Sequence, residues 1–244
     1  MQLFTMIKST SKRPTSESQY EWVWPDESLH RTEFRGIADV VLRELADPTD
    51  LAPIYRRFPN HNPTDNVVTG ERWPLSQHAI YALARALGPV NYLEVGTRLG
   101  YSIGAVLAAS RRLNHAVTVD PFVDAGKIQQ NLQSVGRSDV KTDVVIQMSR
   151  DFDTDERFDL VYVDGDHSYE VAFGDLKQYW QYVRPGGLML VDDTINERTG
   201  GMMPREKLGV YWAVKDMLQT TRDVAAAVVK LPTYSGFAVI QKQG

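Results

Sequence analysis

The chain has 244 residues, 43% of them apolar and 24% charged, which is enough for one sizeable α/β body with an N-terminal extension but not for a second full domain. A formal charge of −4 offers no basic excess to a polyanion, so DNA and RNA are poor partner candidates. The absence of cysteine excludes disulfides, thiolate catalysis and cysteine-ligated zinc; no apolar run reaches the length of a signal core or a membrane span, so a cytoplasmic protein with no membrane partner is expected.

Residues 8–19 are rich in Ser, Thr, Lys and Pro and read as a tail that buries little. Tyr20, Trp22 and Trp24 follow at alternate positions. They fit a short strand or an arm packed on the body or on a second copy of the chain, and they could also wall a substrate pocket. Gly36–Leu45 has helical apolar spacing and stops before Asp47-Pro48. Residues 48–74 hold five prolines and read as linker or cap. A helix over Leu75–Leu87 closes at Gly88-Pro89. The expected organisation is a tail and aromatic arm over 1–24, a cap and linker over 25–74, and the main domain over 75–244.

From residue 90 short apolar runs alternate with helical segments, the pattern of a mostly parallel sheet flanked by helices. The expected strands are Asn91–Val95, Ala116–Val119, Val144–Gln147, Phe158–Val163, Leu188–Val191, Ala225–Lys230 and Phe237–Gln241, with helices near 102–110, 126–135, 170–182 and 210–218. No helix fits between the last two strands, so they should form an antiparallel hairpin. The fold class is therefore α/β and Rossmann-like: seven strands, helices on both faces and an N-terminal helical cap.

The strand Asn91–Val95 runs into Glu94-Val95-Gly96-Thr97-Arg98-Leu99-Gly100-Tyr101-Ser102 and then a helix. Glycines at 96 and 100 allow a sharp turn and close approach to a ligand, and the helix offers free N–H groups to a carboxylate. A dinucleotide fingerprint starting at Gly96 would need glycine at 98 and 101, where the chain has Arg98 and Tyr101. Glu94 suits a ligand bearing an ammonium group. S-adenosylmethionine (SAM) has an ammonium, a carboxylate and a sulfonium but no phosphate. Asp120 ends the next strand 26 residues on, where a carboxylate can accept from both ribose hydroxyls. Ser149, after the third strand, is placed to meet the adenine. The candidate cofactor residues are Glu94, Gly96, Thr97, Gly100, Tyr101, Ser102, Asp120, Ser149 and Asp164.

From residue 75 onward the chain resembles the class I SAM-dependent methyltransferases. Glu94 to Ser102 resembles the motif of small-molecule O-methyltransferases. Phe158 to Glu170, Arg184-Pro185-Gly186-Gly187 and Val191-Asp192-Asp193 are similar to the metal-dependent macrocin-type and cephalosporin-pathway families, and echo catechol and caffeoyl-CoA O-methyltransferases. The resemblance implies that the strands ending at Asp164 and at Asp192-Asp193 are neighbours, bringing three carboxylates together as ligands of a hard cation such as Mg²⁺. His167 lies where catechol-type enzymes carry a lysine base, and its imidazole could take a hydroxyl proton. Asp164 and His167 are thus the catalytic candidates, and Asp164, Asp192 and Asp193 the metal candidates. The plainer readings are turn residues or helix caps for 164–168 and a solvated loop for Asp192-Asp193. Residues 194–209 could form a substrate lid.

The resulting expectation is a Mg²⁺-assisted O-methyltransferase acting on a hydroxyl of a small molecule, a sugar or phenolic group of a specialised metabolite, with a homo-oligomer possible. Competing readings are an NAD(P)-dependent oxidoreductase and a non-catalytic SAM-binding regulatory or assembly protein.

Overall fold

The apolar runs after residue 90 become the strands of one sheet because the interior ones are buried on both faces and each pairs its backbone groups with a neighbour. The computed structural model describes residues 21–23, 31–70, 75–194, 209–231, 233 and 235–244. The strands are β1 (Glu21–Val23), β2 (Asn91–Val95), β3 (His115–Val119), β4 (Lys141–Val145), β5 (Phe158–Val163), β6 (Val183–Asp192), β7 (Val224–Leu231) and β8 (Phe237–Lys242). The helices are α1 (Arg31–Ala46), α2 (Ala52–Tyr55), α3 (Asn66–Thr69), α4 (Ser76–Leu87), α5 (Tyr101–Ala109), α6 (Ala125–Gln133), α7 (Tyr169–Trp180) and α8 (Gly209–Thr220). The sheet order is β1-β7-β8-β6-β5-β2-β3-β4. Strands β2 to β6 run parallel, and β7 and β8 form the expected antiparallel hairpin beside β6. The fold is the Rossmann-like one anticipated from sequence.

An eighth strand adds to the seven expected. Glu21–Val23 pairs antiparallel with Val229, Val228 and Ala227, so the arm lies on this chain's own sheet edge. Tyr20 and Trp24, the tail and most of the segment read as a lid fall outside the described residues. Strand β4 also begins earlier than its apolar residues imply, at Lys141. It is a sheet edge, where one flank meets solvent and polar residues serve as well as apolar ones.

Two core layers sandwich the sheet. On one face Ala38 and Val41 of α1, Ile80 and Leu83 of α4 and Ile103 and Val106 of α5 pack against Tyr92, Leu160 and Leu190. On the other, Leu176 and Tyr179 of α7 and Val214 and Met217 of α8 pack against Leu93, Val161 and Met189. Helix α1 therefore belongs to the main core. The remainder of the cap forms a third cluster, in which Leu51, Tyr55, Phe58, Val67 and Val68 surround Tyr101 and Ala105 of α5.

The chain builds β2, β3 and β4 outward in one direction, then returns to lay β5 on the other side of β2. That reversal separates the loops leaving β2 and β5 at their carboxyl ends. In open α/β sheets such a switch point is where ligands bind.

Candidate functional site

The loops leaving β2 and β5 meet backbone to backbone. Gly96 has φ of 87°, and a Cβ added there would lie 1.9 Å from the carbonyl oxygen of Asp164. Only glycine fits that approach. Gly100, at φ 81°, turns the chain into α5, and its N–H donates to the Thr97 carbonyl at 2.8 Å. Arg98 takes a left-handed conformation without being glycine, at φ 50°, and its guanidinium pairs with Asp65 of the cap at 3.0 Å. The loop is thus bent by two glycines and held from outside by the cap.

Asp120 ends β3 beside this loop. One carboxylate oxygen accepts from the Thr97 and Arg98 N–H groups at 3.0 and 3.4 Å, and the other from the Phe122 N–H at 2.8 Å. Glu94 lies beneath the loop with no exposed surface. Its carboxyl accepts from the Tyr92 and Thr118 hydroxyls, each at 2.8 Å. Burial, opposed by those bonds and by one from the Ile103 N–H, pushes its pKa up to about 8. Thr97 and Thr118 are joined through their hydroxyls. The Glu94 carboxyl is thus engaged by groups beneath the loop. Ser102 is buried in the first turn of α5. Tyr101 turns the other way: its hydroxyl accepts from the Asn62 N–H at 3.1 Å and its ring packs on Tyr55 and Phe58. Its side chain therefore faces the cap.

Ser149 opens a 3-10 turn after β4, and its carbonyl accepts from Gln178 and Tyr179 of α7 at 3.2 and 3.1 Å. Three apolar side chains that the sequence reading passed over are exposed around this end of the sheet: Phe122 (89%), Ile146 (48%) and Met148 (38%). Their signal in the sequence is their position just past the ends of β3 and β4.

The acidic group differs from the expected one. Asp164, His167 and Asp193 each offer a ligand atom, and these atoms lie within 4.8 Å of one another. His167 Nε2 is 2.9 Å from Asp193 Oδ2 and 3.9 Å from Asp164 Oδ1. Asp192 does not join them. Its Oδ1 accepts from Ser76 at 2.6 Å, Ser235 at 2.7 Å and the Asp193 N–H at 2.8 Å, and its Oδ2 from Tyr162 at 3.0 Å. Successive side chains on a strand point to opposite faces, so two adjacent aspartates at its end are not equivalent; Asp193, at φ 56°, turns out toward His167. Burial, then the charges of Asp192 and Asp193, raise the Asp164 carboxyl well above the carboxylate range, while the hydrogen bond to Asp193 raises the His167 imidazole. Two carboxylates pushed together with an imidazole form a donor set that fits a divalent cation, whose charge would relieve the repulsion. The Asp166 carboxylate accepts from the Ser168 N–H at 2.7 Å, the turn role expected of it.

Residues 93–194 match the family model described as a methyltransferase domain. A curated relative, an uncharacterised protein of Acanthamoeba polyphaga mimivirus, is 26% identical over 140 residues; the match takes in 51% of this chain and 61% of that protein's length. Among solved structures, an O-methyltransferase from Bacillus cereus in complex with S-adenosylhomocysteine (SAH) superposes with a TM-score of 0.58 at 17% identity, over 84% of this chain and 97% of that one. TomG from Streptomyces achromogenes, an O-methyltransferase of tomaymycin synthesis in complex with SAM, superposes with a TM-score of 0.56 at 19% identity, over 88% of this chain and 100% of that one. SAH-bound PaMTH1, a methyltransferase of Podospora anserina, gives 0.56 at 16% identity, over 88% and 97%. The match to the methyltransferase-domain model covers the middle of the chain, and the chain as a whole has the Rossmann-like fold of these O-methyltransferase structures.

Proposed function

We propose that this methyltransferase-domain protein transfers the methyl group of SAM to a hydroxyl of a small molecule, a sugar or phenolic group of a specialised metabolite, with Mg²⁺ held by Asp164, Asp193 and His167. One observation carries the reading: Gly96 rests on the Asp164 carbonyl, so the loop suited to the donor and the acids suited to the acceptor share one edge. The methyl donor and a metal-held hydroxyl would then be neighbours, and placement is most of what such a displacement needs.

In the reaction the hydroxyl oxygen forms a bond to the methyl carbon as the S–C bond breaks, and the sulfonium leaves as the neutral thioether SAH. The loop 96–102 and the α5 N–H groups would hold the amino-acid end of the donor. Asp120, which already fixes the loop through Thr97, would accept from the ribose hydroxyls. Ser149 and the apolar Phe122, Ile146 and Met148 would meet the adenine. A divalent cation bound by Asp164 and Asp193 would draw charge from a nearby hydroxyl and ease loss of its proton. His167, whose Nε2 lies 2.9 Å from Asp193, would complete that donor set.

The test is turnover against a panel of sugar and phenolic acceptors, with SAH release as the readout. EDTA should reduce turnover to background and added Mg²⁺ restore it. Asp193→Asn should lower turnover at least about 100-fold while SAH still binds. Full activity in EDTA would remove the magnesium and leave methyl transfer standing.

A further inference from the structure

One phenol ties two of the acids at this edge inward. Tyr162 of β5 has no exposed surface, and its ring rests against Phe237 of β8 with the centroids 6.2 Å apart. It lies two residues before Asp164, and it pairs across the sheet with Leu190, which lies two residues before Asp192. Side chains two apart along a strand share a face, so the phenol stands beneath both carboxyls. Its hydroxyl donates to Asp164 Oδ2 and to Asp192 Oδ2, at 3.0 Å each. The other Asp164 oxygen, Oδ1, is the one that lies 3.9 Å from His167 Nε2. Asp164 thus shows one oxygen to His167 and Asp193 and has the other held from below. Asp192 has both held, since Ser76, Ser235 and the Asp193 N–H donate to its Oδ1.

We propose that Tyr162 is a positioning residue that limits Asp164 to binding a cation through one oxygen, and so suits the site to Mg²⁺ over Ca²⁺. The inference rests on the magnesium reading above. A cation among Asp164 Oδ1, Asp193 and His167 meets a single oxygen of Asp164. To offer both, the carboxyl would have to turn and give up a hydrogen bond made in a buried place, which is costly. Mg²⁺ loses nothing by this, because its small octahedral shell takes single oxygens and keeps several waters. Ca²⁺ is larger, takes more ligands and gains from a carboxylate that binds through both oxygens. Partners that orient a ligand in this way commonly change metal affinity by about 10- to 100-fold when removed.

The experiment is calorimetric titration of the full chain with Mg²⁺ and, separately, with Ca²⁺. Tyr162→Phe keeps the ring and removes the hydroxyl, which frees Asp164 to bind through both oxygens. The ratio of Ca²⁺ to Mg²⁺ affinity should then rise on the order of 10-fold over that of the unaltered protein. Ser76→Ala removes a bond from Asp192 alone and should leave the ratio where it is. Thermal unfolding of each variant establishes that it is folded. The infrared carboxylate stretches of the unaltered, Ca²⁺-loaded protein answer independently of the phenylalanine variant. The Asp164 bands, recognised by their loss in Asp164→Asn, should show the wide separation of one-oxygen binding. The narrow separation of two-oxygen binding, a ratio unmoved by Tyr162→Phe, or one moved equally by Ser76→Ala overturns the inference while the magnesium reading stands. If the unaltered protein binds neither cation, both are overturned.

Discussion

Gly96 bears the tightest constraint on the site. The first side-chain carbon of any other residue would overlap the Asp164 carbonyl, so the two loops would have to separate. Gly96→Ala is predicted to weaken SAH binding at least ~10-fold and to lower the melting temperature, measured by calorimetry and thermal unfolding. Glu94 makes a different prediction. Its folded-state pKa of about 8 lies above its ordinary value of 4.5, so the folded protein binds more protons between those limits and loses stability as pH rises through the window. Asp164, Asp192 and Asp175, also raised by burial, act in the same direction. Denaturant midpoints from pH 5 to pH 8 should fall, and Glu94→Gln, which cannot ionise, should flatten the slope. A midpoint that rises with pH, or a slope unchanged in the variant, would contradict the assignment.

The residue types at the site were legible in the sequence because turns and strand ends leave local marks: Gly96, Gly100, Asp120 and Asp164 fall where the pattern puts them. Side-chain direction was not. Asp192 and Asp193 are equivalent as letters, and only the hydrogen bonds from Ser76, Ser235 and Tyr162 distinguish the inward one from the outward one. Those partners lie up to 116 positions away, beyond the reach of any local spacing. Tyr101 likewise reads as a loop residue until the cap supplies Tyr55 and Phe58 for its ring.

At the scale of elements, most strands buried on both faces were recovered nearly to the residue, as β2 and β5 illustrate, while β6 begins at Val183, five residues before the expected Leu188. Apolar runs mark interior strands well. The edges were less legible: β4 starts on Lys141, and β1 has three residues whose pairing partner is some 200 positions distant. The cap shows how separate elements grip the donor loop. Phe58 faces Gly104 of α5, where an added Cβ would come within 2.7 Å of its ring, and Asn131 of α6 donates to the Leu99 carbonyl at 3.0 Å while accepting from the Asn60 N–H at the same distance. Phe58→Ala should cost about 3–5 kcal/mol in denaturant unfolding. It should also speed amide exchange at residues 97–101 with little change in the strands of the far sheet edge. Uniform acceleration across the molecule would mean that the cap merely adds stability and does not hold the loop.

At the scale of the whole molecule, the account depends on a reversal of strand order that opens a crevice between β2 and β5, and on one loop that fits an amino-acid sulfonium and lacks the glycines of a diphosphate cradle. No helix among the described residues is long and apolar enough to cross a membrane. The donor is where the account is most exposed to test. Purified protein titrated calorimetrically with SAH, and separately with NAD, should bind the first at one site per chain and show no heat with the second. Heat with NAD and none with SAH would contradict it.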